Sequence, residues 1–519
     1  MKIELTTDNK FIRVSGLSLL DNNRLHEHFT KKVSNWFVIK KKSPYANVEE
    51  SFINNQNMIP VGLWKELISF AQSEEHEIEF PEDFKERMFD TSLTLEDFKD
   101  YTSKLFRGSE ITPFEYQDEA VFSLLYYKRG CIDLSTSGGK TLISYMLFRY
   151  LFDHGIEYIL MFVPNITLVE QTAARFEEYE GALLEENRRS WTAGLYGGGN
   201  KEPKELPNLI LGTFQTLTKK SKKWYESIGC VIGDEIQHIT AKSVQNIYLK
   251  SVNAEYKFGL TGTLHSKKDI NDFTTQAFVG PEAYDLSSYR LIHEEKRATP
   301  IIVVTKQITY KDNPEIKLLY EFRRDKPKED IEFSNKIYNR ERQFIRDYVP
   351  RLSLICSDVA RTNHNALILF ADVKHEYGKR IVHHLEGMSK KRVFYVDGMT
   401  PTEDRDFYIE EMENDTTGNT VMVATMGTFS EGIDIKNLWY IYIVEGLKSE
   451  RILAQALGRG MRRYEGKEFV VFVDYQDNLN YGPSDERGYQ SYSMKHAYVR
   501  NAIYKERKFP IKKVKSKEI

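Results

Sequence analysis

Three short clusters, far apart in the chain, have the residue types and spacing of phosphate chemistry. The first is "CIDLSTSGGKT", residues 131–141, where Gly139, Lys140 and Thr141 stand as the phosphate-loop pattern G-x-x-x-x-G-K-[ST] requires. Leu134 occupies the place of the pattern's first glycine. With "GCIDLS" as a strand and a helix beginning near Gly139, backbone N–H groups and the helix N-terminus point at phosphate oxygens. Lys140 then reaches the β and γ phosphates of ATP, and the Thr141 hydroxyl can hold Mg²⁺. Ser135, Thr136, Ser137 and Gly138 are small enough for a tight wrap. Alone, the same letters also describe a Gly-rich strand-to-helix turn without a ligand.

The second cluster is "CVIGDEIQH", residues 230–238, an apolar strand that ends on Asp234 and Glu235. Asp234 can coordinate Mg²⁺ through water, and Glu235 can accept a proton from the attacking water. The third is "QALGRGMRR", residues 455–463, which sets Gln455, Arg459 and Arg462 on an expected helix. Arginines three apart share a face and can stabilise charge at a γ-phosphate, the work of an arginine finger. Acidic pairs after strands and exposed basic helices are both common, so neither cluster is specific alone. The phosphate loop and the acidic pair together must sit at the C-terminal edge of a parallel sheet, where α/β folds bind ligands, and the arginines are expected to face the γ-phosphate from a second lobe.

The elements needed to position these residues follow one grammar from about residue 112: a short apolar strand, a turn with Gly, Pro or Thr, then an amphipathic helix. "GCIDLS", "YILMFVP", "NLILGTF", "CVIGDE" and "KFGLTGT" read as buried strands, with "TLISYMLFRYLFDHG" and "ITLVEQTAARFEEYEG" as helices between them. After a polar stretch the rhythm resumes with "ALILFA", "RVFYVDG", "TVMVAT", "WYIYIVEG" and "EFVVFVDY". The expected organisation is an N-terminal α+β accessory domain over 1–100, an α/β lobe over 101–285, a linker over 286–345, a second α/β lobe over 346–480 and a basic extension over 481–519.

At 519 residues the chain exceeds a single core and suits roughly three domains. No apolar run approaches the roughly 20 residues that span a bilayer, and "MKIELTTDNK" lacks the apolar core of a signal peptide, so a cytoplasmic protein without membrane contact is expected. Cys131, Cys230 and Cys356 are too scattered for a disulfide framework or a zinc cluster. A net charge of -3 argues against a cationic surface of the histone kind, so any nucleic-acid contact must be local. "IKKK" at 39–42, "KKSKK" at 219–223 and the tail "KERKFPIKKVKSKEI" are candidates, although each also reads as a solvated face or a loose tail.

In their order, the motifs resemble those of superfamily 2 helicases and translocases over about residues 112–475. "FEYQ" resembles the adenine-contacting Q motif, with Gln117 as base reader and Phe114 or Tyr116 as the stacking ring. "LSTSGGKT", "VPNITLVEQ", "GTFQTL", "DEIQH" and "LTGT" are similar to motifs I, Ia, Ic, II and III. "ALILFADVKHEYGKRI", "ATMGTFSEGIDIKNL" and "QALGRGMRR" are similar to motifs IV, V and VI. The resemblance implies two RecA-like lobes in tandem that hydrolyse ATP with Mg²⁺. It implies that Pro164, Asn165, Gln171, Thr213, Gln215, Thr425 and Thr428 track the phosphates of one strand, and that Gly432 and Asp434 connect the track to the nucleotide. Thr261 and Thr263 would couple hydrolysis to that track.

Gln237 stands where many relatives have histidine. It keeps hydrogen bonding toward the γ-phosphate or motif III but not the option of charge. Within the superfamily the resemblance is strongest to phage recombination helicases, which implies ATP-driven remodelling of forks, D-loops, R-loops or Holliday junctions; the sequence does not give the oligomeric state, and a monomer is the favoured expectation. The expected partner is branched or partly single-stranded DNA, with RNA–DNA hybrid as a further substrate. Trp36, Phe37 and "IKKK" then become a duplex or junction reader, or else part of a packing domain. Rival readings are a duplex translocase or restriction-system motor, an RNA helicase, and a nucleotide-gated clamp or annealing module.

Overall fold

Alternation opens the chain. In "FIRVS" Ile12 and Val14 are buried while their neighbours face outward, as one-sided antiparallel pairing requires. The first strands are β1 (Lys2–Leu5), β2 (Phe11–Ser15), β3 (Thr30–Lys32), β4 (Glu49–Ser51) and β5 (Met58–Pro60). β1, β2 and β5 form one antiparallel sheet, and β3 pairs with β4. The computed structural model describes the chain apart from residues 34–35, 37–38, 41–42, 44, 263–269, 311–312, 325–330, 372–375, 447–448 and 482–489, and apart from the side chains of 322–324, 331–332, 430–432 and 516.

The uniform apolar runs become two all-parallel sheets, each of seven strands. The first sheet contains β6 (Arg129–Leu134), β7 (Ile159–Val163), β8 (Ala193–Tyr196), β9 (Leu209–Thr213), β10 (Cys230–Asp234), β11 (Tyr256–Thr261) and β12 (Glu282–Leu286). Their spatial order is β12-β6-β11-β10-β7-β9-β8. The second sheet contains β13 (Ile301–Thr309), β14 (Ala366–Phe370), β15 (Arg392–Val396), β16 (Thr420–Thr425), β17 (Tyr440–Ile443), β18 (Val470–Asn478) and β19 (Ile511–Glu518), in the order β15-β16-β14-β17-β18-β13-β19. By their internal contacts the described residues divide into Met1–Ser135 with Gly139–Leu286, and Thr136–Gly138 with Ser287–Ile519. No helix among the described residues is long and apolar enough to cross a membrane.

Three expected boundaries differ from the structure. Residues 1–100 are not a module with a closed core of their own. Ile12, Leu25, Phe29, Phe52 and Phe70 share one buried cluster with Ile270 and Phe273 of the helix Ile270–Phe278, which belongs to the first α/β lobe. The expected linker 286–345 contributes β13, whose "IIVVTKQIT" pairs in register with β18 over its full length. The expected extension 481–519 contributes β19 at the sheet edge and the helix Tyr492–Glu506. That helix is anchored by charge: Asp474 on β18 accepts from Arg500 Nη2 at 2.8 Å and from the Tyr504 hydroxyl at 3.1 Å, all buried. Glu341, fully buried, accepts from the Tyr492 and Ser493 backbone N–H groups at the helix start, each at 2.9 Å.

Phe273 lies within ring contact of Phe29 at 6.1 Å and Phe52 at 5.7 Å, with the Lys31 ammonium 4.2 Å from its centroid. Phe273→Ala should therefore lower stability by about 3–5 kcal/mol, the usual cost of emptying such a position. Urea unfolding checks the size of the loss, and limited proteolysis should find the first 90 residues or so newly exposed.

Candidate nucleotide and nucleic-acid site

The first lobe assembles the phosphate loop as the spacing implied. β6 runs straight into residues 135–139, and the helix Lys140–Asp153 begins at once. Gly139 has φ +80°, a left-handed conformation that suits glycine, and Ser137 has φ 76°. The Ser135 N–H donates to the Leu286 carbonyl at 3.0 Å, which ties the loop to the end of β12. Neither the Lys140 ammonium nor the Thr141 hydroxyl has a partner among the described residues. Both groups stand at the positive end of a helix, where phosphate oxygens are favoured.

Gln117 is buried on the helix Glu115–Tyr127. Its Oε1 accepts from the Phe114 N–H at 2.9 Å, and its Nε2 lies 2.1 Å from where a Cβ on Gly139 would stand. The Q-motif amide therefore packs on the phosphate loop itself. Of the two rings offered for base stacking, Tyr116 is in the core with 1% exposure, whereas Phe114 is half-buried at the helix start. Tyr116 is withdrawn from that role because a core ring cannot stack on a ligand.

Asp234 ends β10 next to Leu260 of β11, and Leu260 lies next to Ile132 of β6. At about 4.8 Å between strands, β10 and β6 are about 10 Å apart with β11 between them. Burial, and then the neighbouring charge of Glu235, push the Asp234 carboxyl up to about 6, with the Lys140 ammonium opposing. Glu235 has φ 54°, and its N–H donates to Asp234 Oδ1 at 2.9 Å. Gln237 Nε2 donates to Glu235 Oε2, while Gln237 Oε1 accepts from the Thr261 hydroxyl at 2.6 Å. Gln237 thus links the Glu235 carboxylate to Thr261 of motif III through its neutral amide. Thr263 lies outside the described residues.

In the second lobe, the helix Glu450–Gly460 carries Gln455 and Arg459, and Arg462 falls two residues beyond its end. The expected single helical face for both arginines is therefore incomplete. Arg459 donates to the Ile433 carbonyl and lies 5.3 Å from the Phe429 ring, and Arg462 Nε donates to Asp434 Oδ1 at 2.9 Å. Motif VI is thus held by the motif V segment around Gly432. Gln455 Oε1 is buried without a hydrogen-bond partner among the described residues, a costly state for a polar atom.

The residues expected along nucleic acid stand at strand ends. Asn165 caps the helix Ile166–Ala182, its Oδ1 accepting from the Leu168 N–H at 2.9 Å, with Pro164 before it and Gln171 exposed on the helix. Thr213 precedes the helix Phe214–Leu217 and bonds the Thr216 hydroxyl at 3.1 Å, with Gln215 exposed beside it. Thr425 caps the helix Met426–Gly432 and bonds the Thr428 hydroxyl at 2.7 Å. The side chains of Asn165 and Thr425 serve as caps, occupied with the Leu168 and Thr428 backbone N–H groups. Beside these threonines stands Gly197, where a Cβ would meet the Thr216 and Thr213 hydroxyls at 3.2 and 3.5 Å. Its signal is "GGG", since Gly197, Gly198 and Gly199 all have positive φ. Trp36 is exposed, and the Lys32 ammonium lies 4.5 Å from its ring centroid; Phe37, Lys41 and Lys42 lie outside the described residues.

Two substitutions test this geometry. Gly139→Ala imposes left-handed strain and meets the Gln117 amide, so ATP affinity measured with a fluorescent nucleotide should fall on the order of tenfold, about 1.4 kcal/mol. Thr261→Val removes the hydroxyl that donates to Gln237 Oε1, so ATP turnover should fall on the order of tenfold while nucleotide affinity stays near wild type.

Comparison with known proteins agrees with this arrangement. Residues 110–266 match the family model of the type III restriction enzyme res subunit, and residues 349–464 match the helicase conserved C-terminal domain. The chain is 27% identical over 474 residues to the ATP-dependent DNA helicase uvsW of Enterobacteria phage T4, covering 88% of each protein. It is 22% identical over 389 residues to the DNA 3'-5' translocase XPB2 of Sulfurisphaera tokodaii, covering 72% of this chain and 84% of the relative. The structure of the ATP-dependent Type ISP restriction-modification enzyme LlaBIII bound to DNA shares the fold over 88% of this chain and 36% of that one, with a TM-score of 0.55 at 14% identity. With a phosphate loop and an acidic pair in one lobe, a glutamine and two arginines in the other, and both lobes matched in order, the chain belongs to the superfamily 2 helicases and translocases, which hydrolyse ATP.

Proposed function

We propose that this protein is an ATP-driven motor that separates or remodels branched DNA such as forks, D-loops, R-loops and Holliday junctions, in recombination, repair or replication restart. The observation that carries the reading is similarity to a phage DNA helicase along 88% of both chains, which reaches beyond the motor lobes shared by translocases with other tasks. In this mechanism the phosphate loop and Lys140 hold the β and γ phosphates. Glu235 takes a proton from the attacking water, and the Gln237 bridge fixes its carboxylate. The hard oxygens of Thr141 and Asp234 suit Mg²⁺, which when bound would neutralise charge on the phosphates. Gln455, Arg459 and Arg462 act on the γ-phosphate from the second lobe, as the resemblance implies. Alternating grip by the helix starts at Asn165, Thr213 and Thr425 then moves the protein along one strand.

A second reading, translocation on duplex DNA without strand separation, is favoured by the similarity to the Sulfurisphaera translocase. Both readings need the same hydrolysis site. Lys140→Ala removes the positive charge from the phosphate loop, so DNA-stimulated ATP turnover should fall by about 10²–10³, the scale of losing one electrostatic stabiliser. A steady-state ATPase assay with and without forked DNA measures it, and turnover near wild type would contradict both readings.

A further inference from the structure

A cavity of ≈ 400 Å³ lies at the other edge of the first sheet, between the N-terminal region and the segments that enter β6, β11 and β12. Arg129 is the first residue of β6 and Leu134 the last, so at about 3.3 Å per residue the cavity is about 17 Å from the start of the phosphate loop. Lys10, Arg87, Lys128 and Arg129 line it against two carboxylates, Asp8 and Glu255. Both carboxylates are already matched: Asp8 pairs with Lys10 at 2.9 Å and Glu255 with Lys128 at 2.9 Å. Arg87 is held by Asn9 Oδ1 at 2.9 Å and the Thr6 carbonyl at 2.6 Å, with Asp83 at 3.4 Å.

Arg129 is different. It has no hydrogen bond or ion pair among the described residues, and burial pulls its pKa down to about 10 with only the charge of Asp8 opposing. Its register partner across the parallel ladder is another cation, Lys257 of β11. The Lys257 ammonium is buried on the Tyr248 carbonyl at 3.0 Å, and burial, with the charges of Arg129 and Lys10, brings its pKa down to about 7. Like charges opposite each other on neighbouring strands repel, and the half-buried Arg129 guanidinium is offset only by the charge of Asp8, which is itself paired with Lys10. The remaining wall is largely apolar and includes two rings, Trp64 and Tyr127, 6.1 Å apart, with the Lys65 ammonium 4.7 Å from the Tyr127 centroid.

We propose that this cavity binds a small phosphorylated anion, its oxygens on the Arg129 guanidinium and its body against Trp64 and Tyr127. The anion supplies the negative charge that the fold leaves out beside Arg129 and Lys257. A planar guanidinium suits two phosphate oxygens at once. The volume falls within the range of small-molecule pockets, about 300–1,000 Å³, and is too small to admit a duplex. Because Lys10 and Trp64 belong to the N-terminal region and Arg129 to β6, the ligand would bind the two parts of the shared core together.

Calorimetric titration of pyrophosphate and of AMP into the full chain carrying Lys140→Ala tests the proposal, since the phosphate loop then lacks its lysine. One-to-one binding is expected, weakened on the order of tenfold or more by adding Arg129→Met, the loss of one charged hydrogen-bonding partner. Lys10→Met should weaken it less. Tighter binding of AMP assigns a nucleoside phosphate, and tighter binding of pyrophosphate assigns an inorganic one. Arg129→Met alone should leave the thermal midpoint unchanged or raise it, because a repulsion is removed. No binding of either probe at millimolar concentration would overturn the proposal, as would affinity unchanged by Arg129→Met or a thermal midpoint lowered by it.

Discussion

The amide of Gln237 joins the ends of two neighbouring strands beside the phosphate loop, donating to Glu235 and accepting from Thr261. Its reach depends on the parallel register of β10 and β11, which sets Asp234 beside Leu260 and brings Thr261 one residue further to the same edge. A slip of one residue would send every side chain on the strand to the opposite face. The left-handed backbone at Glu235, which costs about 1–3 kcal/mol, is held by the same contacts. A neutral amide makes this bridge, so the bridge has no titration of its own near neutral pH.

The two lobes use one local device. A parallel strand ends on threonine, the threonine begins a short helix, and a second threonine three residues later returns its hydroxyl, at Thr213 with Thr216 and at Thr425 with Thr428. At Thr425 the hydroxyl also accepts from the Thr428 N–H at 3.2 Å, so the side chain closes the helix start.

Much of this was legible in the sequence because parallel strands covered on both faces carry uniform apolar runs, as in "ILMFV", "CVIGD" and "TVMVAT". Two of the edge strands carry no such mark. β12 ("EAYDL") and β19 ("IKKVKSKE") are polar because an edge strand faces water, and lysines there deter pairing with other chains. The union of the N-terminal region with the first lobe was hidden for another reason. It depends on Phe273, which only tertiary packing brings to Phe29 and Phe52. Spacing singles out Lys140, Asp234 and Arg459 as candidates, but the approach of Gln117 to Gly139 and the hold of Asp434 on Arg462 arise between distant segments. Tyr116 looked free to stack because nothing in "FEYQ" distinguishes a core ring from a rim ring.

The central claim is that the energy of ATP hydrolysis is used at a DNA branch point. Its most direct test is the number of base pairs separated per ATP hydrolysed by the wild-type chain on single-stranded, blunt duplex, forked and RNA–DNA substrates in parallel. The account predicts strongest ATPase stimulation by branched substrates, with strands separated only when the nucleotide can be hydrolysed. Equal stimulation by blunt duplex and fork, with no strand separation on any substrate, would contradict it.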